Sequence, residues 1–547
     1  MMKTRLFIFI SCAVVASVAF ATGGSAEEGI IYACAHKNSG DLRIVESPDD
    51  CRKPEVALWW NQVGPPGDPG LPGPPGPPGA SANLDVRQLA DLLGDPSLAD
   101  GLPLDMTHPV EVEATLIFEG PGSATADVVG LIGTDTVSQT FAYHLVVEPI
   151  AAASPAWLGQ TGQVVFQRDE GITIFGGMIT DVGTTGGADG MGYTVITLEP
   201  PLAGIARNAD YRVFQGWSLS DIVQELLEEA DLTHEWRADD LPLPDCTVQY
   251  NESDLDFVGR LTEGTGVFFF FNENGDPIFS DPSGGFGGLG ASLAYPGAAV
   301  PLPQGEEAIT TLLRDGWFTA NRATVRGFDF ENPGLTIEGF DSVEDGSRDV
   351  YTYDASVRES SDAQLQAIVN LEGLRVPFDV ASGTGTSADV RAGFGLGVAD
   401  TSGNGMGGDY IVTGVTHVFV RSGDGSLTYG NAFEAVPSGV DYRPPKRTHV
   451  PKVQGLHTAI VTGMAGEPIY TDEGRVKVQF HWDRLGSFNE NSFCWVRVNQ
   501  PAGTLNQGEP YIPPVGQEVL VGFVQGDPSQ PVVLGSLFNG DNPPPAP

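Results

Sequence analysis

The sequence predicts a mainly β protein built from several domains, with a short collagen-like segment near its N-terminus. Three observations support this prediction. A chain of 547 residues exceeds a single ordinary core. Its 71 glycines and 42 prolines, set against 9% aromatic residues, are typical of turn-rich β structure. Short runs rich in valine, isoleucine and phenylalanine recur between glycine-rich turns, which is the pattern of successive strands.

The first 21 residues predict a cleaved signal peptide. Lys3 and Arg5 precede an apolar run over residues 6–18, and Ala19-Phe20-Ala21 supplies the small residues that signal peptidase reads, so we expect cleavage after Ala21. The alternative is a membrane anchor, which needs about 20 apolar residues, more than this run has. No later run is long enough to span a bilayer. We therefore expect a secreted chain without stable membrane insertion.

Net charge limits the partners of the chain. Removing residues 1–21 leaves 26 basic against 71 acidic side chains, a net charge of −45. A surface of this kind repels phosphate backbones and anionic lipid, so nucleic acid is excluded as an expected partner.

Four cysteines remain after the signal peptide. Cys34 and Cys51 bracket a short polar segment, and in an exported protein this spacing predicts a disulfide; two free thiols are the alternative. Cys246 and Cys494 lie far apart in apolar, strand-like sequence. Free cysteine behaves as a small buried hydrophobe in such surroundings, and we make no disulfide prediction for this second pair.

A collagen-like repeat occupies residues 64–79, "GPPGDPGLPGPPGPPG", with glycine at every third position. Only glycine fits at the axis of a triple helix, so the strict period favours three chains winding together. The alternative is a stiff polyproline II spacer that separates the head, residues 22–63, from the body. Only a second sign of trimerisation can decide between the two.

The segment after the repeat predicts one short helix and then strands. Asn83 can cap a helix over residues 84–93, which Gly94 ends. From Pro109 onward, runs such as "VEVEATLIFEG" and "QVVFQRDEGITIFGGMITDV" read as strands. The glycine-rich stretch 182–192 lacks the lysine of a phosphate-binding loop, so we predict a hairpin turn there.

Two amphipathic helices stand out in the middle of the chain. Ser218 and Asp221 form a capping box before an apolar stripe that includes Ile222 and Leu226. Ser253 caps the second helix, and three acids lie at its start: Glu252, Asp254 and Asp256. These acids suggest an acid/base or calcium site, but complementing the helix dipole explains them without catalysis. Residues 267–271, "VFFFF", then predict a buried strand that ends in an Asn-Gly turn.

The C-terminal sequence predicts a small closed barrel of short strands. In residues 475–480 the apolar side chains alternate with polar ones, so one face is buried. His481 and Asp483 flank Trp482, which we predict to be an anchoring residue; a catalytic dyad would need a nucleophile nearby. Residues 446–547 carry seven basic and nine acidic side chains, which excludes the basic groove of a nucleic-acid-binding barrel. No histidine shows metal-ligand spacing, so we expect no metal, no cofactor and no catalytic residue.

Two stretches resemble the VgrG spike proteins of type VI secretion systems, which are related to the baseplate hub of contractile phage tails. Residues 211–275 contain "CTVQYNESDLDFVGRLTEGTGVFFFFNENG", which is similar to the family's strand, helix and aromatic strand. Residues 442–545, including "GRVKVQFHWDRLGSFNENSFCWVRVNQ" and "GSLFNGDNPPP", resemble the family's linker and its phage-spike OB-fold.

The resemblance implies an organisation and a function. The implied fold is a body of β-barrel or β-rich α+β hub domains over residues 109–441, followed by a linker and OB-fold over 442–547; residues 80–108 form the linker with the short helix. Three chains form the base in this family, so a homotrimer is expected, with a hexameric tube protein and a separate tip protein as further partners. Trimerisation also favours a real triple helix at residues 64–79. The implied role is structural and non-enzymatic.

The sequence departs from the family in three ways. The sequence ends at Pro547 without the β-helical needle usual in the family, so we expect that puncturing either needs a separate tip protein or does not occur. The predicted signal peptide conflicts with the cytoplasmic assembly usual for the family. The stretch 500–514, "QPAGTLNQGEPYIPP", replaces a tryptophan- and glycine-rich loop. An alternative function is therefore a secreted trimeric adhesion or matrix protein that reuses the spike body as a scaffold.

Overall fold

A computed structural model describes residues 30–61, with gaps at 37–41, 46 and 54, and residues 112–545. The gaps in the second range are 119–123, 149, 151–154, 169–170, 187–191, 240–242, 298–305, 422–426, 464–469, 472 and 501–509. The signal peptide with its Ala21 cleavage site, the collagen-like segment and the 84–93 helix lie outside the described residues. The chain divides into two compact units, residues 1–79 and 80–547.

The first unit contains a three-stranded antiparallel sheet in the order β2-β1-β3. Its strands are β1 (Ile30–His36), β2 (Leu42–Val45) and β3 (Glu55–Asn61). Cys34 on β1 is buried and is joined to Cys51, with 5.4 Å between their Cα atoms. A one-turn 3-10 helix, Pro48–Asp50, begins with a capping box formed by Ser47 and precedes Cys51. The disulfide therefore ties the chain after this turn to the central strand.

A closed six-stranded barrel begins the second unit. The strands are β4 (Glu113–Phe118), β5 (Ala124–Thr136), β6 (Ala142–Val147), β7 (Thr161–Arg168), β8 (Gly171–Gly186) and β9 (Gly192–Glu199). They follow the order β5-β4-β7-β8-β9-β6, and β6 also pairs with β5, which closes the barrel. β8 and β9 form the predicted hairpin around residues 182–192. Alternating side chains along these strands fill a common interior that also holds the Trp157 indole.

The segment after the first barrel carries the two predicted helices. In chain order it contains β10 (Ala209–Gln215), α1 (Leu219–Glu229), β11 (Glu235–Trp236), β12 (Cys246–Ser253), α2 (Asp254–Thr265), β13 (Phe268–Phe271) and β14 (Pro277–Ser280). Both predicted caps are confirmed: the Ser218 side chain accepts from the Asp221 amide, and that of Ser253 accepts from the Asp256 amide. The predicted aromatic strand, β13, is fully buried.

A second group of six strands continues the first barrel into a single 12-stranded sheet. The additional strands are β15 (Leu289–Tyr295), β16 (Ile309–Asp315), β20 (Val380–Gly385), β21 (Gly395–Asp400), β22 (Gly408–Arg421) and β23 (Leu427–Pro437). They run in the order β16-β20-β23-β22-β21-β15, and one bridge between Ala294 and Ala308 brings the two ends together. β22 pairs with β5 over seven residues, so the two barrels share one hydrogen-bonded seam.

A small α/β insert interrupts the second barrel. Its sheet has the order β18-β17-β19 and contains β17 (Arg322–Arg326), β18 (Glu338–Ser342) and β19 (Asp349–Tyr353). Helix α3 (Ser360–Arg375) packs on one face of it. Gly339 makes this close packing possible, because a Cβ atom there would lie 2.2 Å from the backbone nitrogen of Gln364 on α3.

The chain ends in a five-stranded barrel of the OB-fold kind. Its strands are β24 (His457–Thr462), β25 (Lys477–Phe480), β26 (Arg497–Val498), β27 (Glu518–Phe523) and β28 (Pro531–Leu537). The order is β25-β24-β27-β28-β26, and a bridge between Val476 and Val496 closes the ring. Val476, Val478 and Phe480 point into the core, as the alternation predicted.

Candidate functional site: the junction of the body and the C-terminal barrel

The two-stranded sheet β10-β12 forms a large part of the body's contact with the C-terminal barrel. Cys246 and Val248 on β12 belong to the same apolar cluster as the barrel's own core residues, and Val213 and Tyr250 pack at its edge. This sheet is therefore part of the barrel's core rather than a surface touching it. Separating the two parts would expose apolar area on both of them.

A disulfide fastens this junction. Cys246 and Cys494 are joined across 248 residues of chain, with 5.9 Å between their Cα atoms. Their sequence context indicated two small buried hydrophobes and left their pairing open. Their apolar surroundings gave no sign of pairing, because the two segments are far apart in sequence and meet only where the C-terminal barrel packs against β12. The signal available was an even number of cysteines in a chain predicted to be exported.

His457 stands at the centre of a polar contact between the two parts. The Trp482 indole nitrogen donates to His457 Nδ1 at 3.2 Å, and His457 Nε2 lies 3.0 Å from the Tyr250 hydroxyl. Because Nδ1 accepts, the proton of the neutral ring is on Nε2, which donates to Tyr250. Burial lowers the pKa of His457 below its ordinary value and so favours the neutral ring.

The "HWD" stretch is an anchor, as predicted. Trp482 stacks on Phe480 with 4.9 Å between ring centroids, in addition to its bond to His457. The Asp483 carboxylate accepts from the backbone amides of Leu485 and Gly486, at 3.1 and 3.0 Å, and so stabilises a turn. His481 is exposed. The structure therefore gives His481 and Asp483 no joint role.

The three acids at the start of α2 all have structural partners. Arg260 donates two hydrogen bonds of 2.8 Å to Glu252. Gln249 donates to Asp254 at 2.7 Å, and the Ser253 hydroxyl donates to Asp256 at the same distance. These bonds hold β12 against α2. Asp254 and Asp256 lie in the first turn of α2, as the dipole interpretation requires, whereas Glu252 lies on β12 and pairs with Arg260.

The linker between the body and the C-terminal barrel is held down on the body. Glu263, buried on α2, accepts from the backbone amides of Arg447 and Thr448, both at 2.9 Å, and from the Thr448 hydroxyl at 2.8 Å. Tyr442 is buried beside Phe268 and Phe286. The linker is therefore fixed at both of its ends before β24 begins.

The insert also contacts the C-terminal barrel. The ring of Phe330 lies among three guanidinium groups: Arg358 from the insert, at 4.6 Å, and Arg475 and Arg497 from the barrel, at 5.4 and 4.6 Å. Arg475 also pairs with Glu331 at 3.1 Å. Because two of the three cations come from the barrel, this cation–π contact requires the barrel to be docked in the orientation seen here.

One group of exposed apolar side chains lies away from this junction. We call Leu313, Trp317, Phe318 and Phe378 the aromatic patch; their side chains are 54, 67, 87 and 45% exposed. They are neighbours, because Arg314 pairs with Asp379 and a Cβ on Gly316 would lie 3.2 Å from the Phe378 carbonyl oxygen. Exposed apolar groups of this size indicate an interaction surface. Nothing in the sequence indicated this patch, because residues 313–318 and residue 378 are brought together only by the pairing of β16 with β20.

Within the described residues, no group of three or more histidine, cysteine, aspartate or glutamate side chains is arranged to hold a metal ion. No helix in the same residues is long and apolar enough to cross a membrane. A pocket of about 290 Å³ lies between α2 and α3, lined by Leu261, Val369 and Asp354 among others. Arg260, which also lines it, is already paired with Glu252.

Comparisons with known proteins agree with this architecture. The family model described as phage tail baseplate hub (GPD) matches residues 134–423, and that of the type VI secretion system/phage-baseplate injector OB domain matches 458–538. Two Pseudomonas aeruginosa relatives are the type VI secretion system spike proteins VgrG1c, 27% identical over 80% of this chain and 62% of the relative, and VgrG5, 31% identical over 76% and 56%. The chain thus spans about three fifths of the length of these curated relatives.

A solved structure shows the same fold. It is an Escherichia coli protein described as a component of the type VI secretion system with structural similarity to the T4 bacteriophage tail proteins gp27 and gp5. The match has a TM-score of 0.55 and 21% identity, and covers 77% of this chain and 99% of the E. coli chain.

Proposed function

Because this chain belongs to the phage tail baseplate hub family, whose model matches more than half of it, we propose that it is the spike and baseplate-hub component of a contractile, type VI secretion-like injection apparatus. The observation that carries this proposal is the junction of the body with the C-terminal barrel. A part that transmits force needs its modules locked together, and here a shared core, a disulfide and a fixed linker join them.

The working form in this proposal is a homotrimer with a hexameric tube protein on one side and a separate tip protein on the other. The aromatic patch supports a contact with another chain, since a soluble protein seldom leaves adjacent tryptophan and phenylalanine side chains in water. A threefold assembly would place this patch against a different surface of the next copy.

The role is structural and non-enzymatic. Support comes from the acids at the start of α2 and from Asp483, each of which is used to fix the backbone or a neighbouring side chain. Purified protein should therefore release no soluble product from peptidoglycan or polysaccharide. Hydrolysis that disappears on substitution of a single carboxylate would refute this part of the proposal.

A second function is favoured by specific observations: a secreted trimeric adhesion or matrix protein that reuses the spike body. The predicted signal peptide and collagen-like segment support it, and so do the two disulfides of the described residues, since disulfides persist in oxidising compartments. In this alternative the small N-terminal sheet would be presented on a triple-helical stalk.

Fractionation of the host cell separates the two functions. The spike proposal expects the chain to copurify with tube and sheath proteins. The alternative expects mature protein beginning at Thr22 outside the cell, without those partners. N-terminal sequencing of the recovered chain tests cleavage after Ala21 in the same experiment.

A further inference from the structure

A group of buried polar side chains lies where the two barrels of the body share their seam. We call Asp135, Tyr143, Arg391, His417 and Tyr429 the seam cluster. Asp135 is on β5, Tyr143 on β6, and His417 and Tyr429 on β22 and β23. Asp135 and His417 are 3 and 0% exposed. None of these residues has a part in the proposed function.

The register of the strands brings these side chains together. β5 pairs with β22 so that Gly133 faces His417 and Asp135 faces Val415, which places Asp135 and His417 diagonally on the same face. Gly133 has no side chain, and the ring of Tyr143 occupies that space. The ring of Phe175 is 4.9 Å from that of His417 and 5.7 Å from the Arg391 guanidinium, so Arg391 reaches the same face.

Three polar atoms of the cluster have no hydrogen-bond partner in the protein: Asp135 Oδ1, Arg391 Nε and His417 Nε2. Each has little or no contact with bulk solvent. Leaving a buried polar atom without a partner costs about 1–3 kcal/mol, and more for a charged group. Other atoms of the cluster are satisfied: His417 Nδ1 bonds to the Tyr429 hydroxyl at 2.6 Å, and Arg391 donates to the Asn272 carbonyl at 3.0 Å.

The three atoms are chemically complementary to one small ligand. Arg391 Nε–H is a donor, Asp135 Oδ1 is an acceptor, and His417 Nε2 can act in either sense. A water molecule that accepts from Arg391 and donates to Asp135 would have the two to four polar partners that buried water requires. Asp135 and Arg391 interact electrostatically, and a water between them would let the pair interact without contact.

We propose that the seam cluster holds an ordered water molecule that bridges Asp135 Oδ1 and Arg391 Nε and also reaches His417 Nε2. In this arrangement the two barrels are joined by a hydrated polar contact as well as by the β5–β22 hydrogen bonds. The site depends on the fold of the body alone and not on the proposed spike function.

A high-resolution crystal structure of the full chain tests the proposal directly. We expect density for a water about 2.7–3.2 Å from both Asp135 Oδ1 and Arg391 Nε. Direct contact between the two side chains, or a dry gap between them, would overturn it. Because this measurement uses the unmodified protein, it does not depend on any variant folding.

Substitutions give a second readout. Asp135→Asn keeps an oxygen acceptor and should retain the water, whereas Asp135→Val should lose its density. Asp127→Asn is the matched control on the same strand, because Asp127 is exposed and pairs with Arg421; it should leave the water in place. Density that survives in Asp135→Val would show that the water does not need the carboxylate, and would refute the proposed bridge.

Discussion

At the scale of single residues, the most consequential groups are ionisable side chains buried at the barrel seam. Burial raises the pKa of Asp135 to about 7 although Arg391 opposes this, and burial lowers the pKa of His417 to about 3 with Arg391 adding to the effect. Tyr143 and Tyr429 also face this space, and burial raises the pKa of both. The neutral forms of Asp135 and His417 are thus favoured in the native protein.

These shifts predict opposing dependences of stability on pH. The native state keeps the Asp135 proton up to about pH 7, while the unfolded state loses it near pH 3.8, so this contribution is full below pH 3.8 and lost as pH rises to about 7. The contribution of His417 is full above pH 6.5 and lost as pH falls to about 3. Between about pH 3.8 and pH 6.5 the two contributions to stability change in opposite directions with pH and offset each other.

Asp135→Asn removes the contribution of Asp135, so the pH dependence of stability that His417 causes should become visible. We expect the free energy of unfolding of this variant to rise by about 1.4 kcal/mol per pH unit, relative to the unmodified protein, between pH 4.5 and 6.5. Urea unfolding at several pH values measures the difference, with Asp127→Asn as the control. Profiles that remain parallel for Asp135→Asn and the unmodified protein would contradict the assigned shift.

At the scale of elements, the sequence predicted correctly those helices and strands that are specified by residues close to them in the chain. The caps at Ser218 and Ser253, the buried strand β13 and the alternating strand β25 all appear where predicted. Each depends on a short-range rule: capping, apolar run or alternation. Helix α3 was not predicted, because alanines make up much of its buried side and the sequence shows no apolar stripe.

Long-range pairings could not be predicted in the same way. The β5–β22 seam joins residues almost 300 positions apart, and the Cys246–Cys494 bond joins residues 248 apart. Neither strand of the seam carries a feature that specifies its partner. The seam cluster was missed for the same reason, since Asp135 and His417 are buried beside each other only when the seam forms.

The insert provides a sharp test of packing. Gly339→Ala should displace α3, because the added methyl group would meet the helix backbone near Ala363 and Gln364. Over-packing of this kind typically costs about 1–3 kcal/mol. Gly334→Ala is the matched control, because nothing lies within 4 Å of a Cβ there. Denaturant unfolding of the two variants measures the difference; equal stability would show that α3 does not sit on β18 as described.

The disulfide at the junction of body and C-terminal barrel gives a second prediction. Replacing both Cys246 and Cys494 with serine should lower the stability of the docked barrel by about 2–5 kcal/mol, because a long closed loop is released in the unfolded chain. Calorimetry of the variant should show an earlier transition, and reductant should have the same effect on the unmodified protein. A transition unchanged by either treatment would contradict a structural role for this bond.

At the scale of the whole molecule, the aromatic patch should be an interface between copies. Trp317→Asp would place a charge in that interface, where an unpaired buried charge is strongly unfavourable. We expect this variant to lose the assembled form while keeping its circular dichroism spectrum. Leu335→Asp, at an exposed apolar residue of the insert outside the aromatic patch, is the control. Loss of assembly in both variants, or in neither, would show that the aromatic patch is not the interface between copies.

The mass of the purified mature protein in solution tests the central claim most directly. Light scattering should return three times the mass of one chain, and the value should persist on dilution, because the proposed spike is an obligate trimer. A well-folded protein with the mass of a single chain would contradict the account.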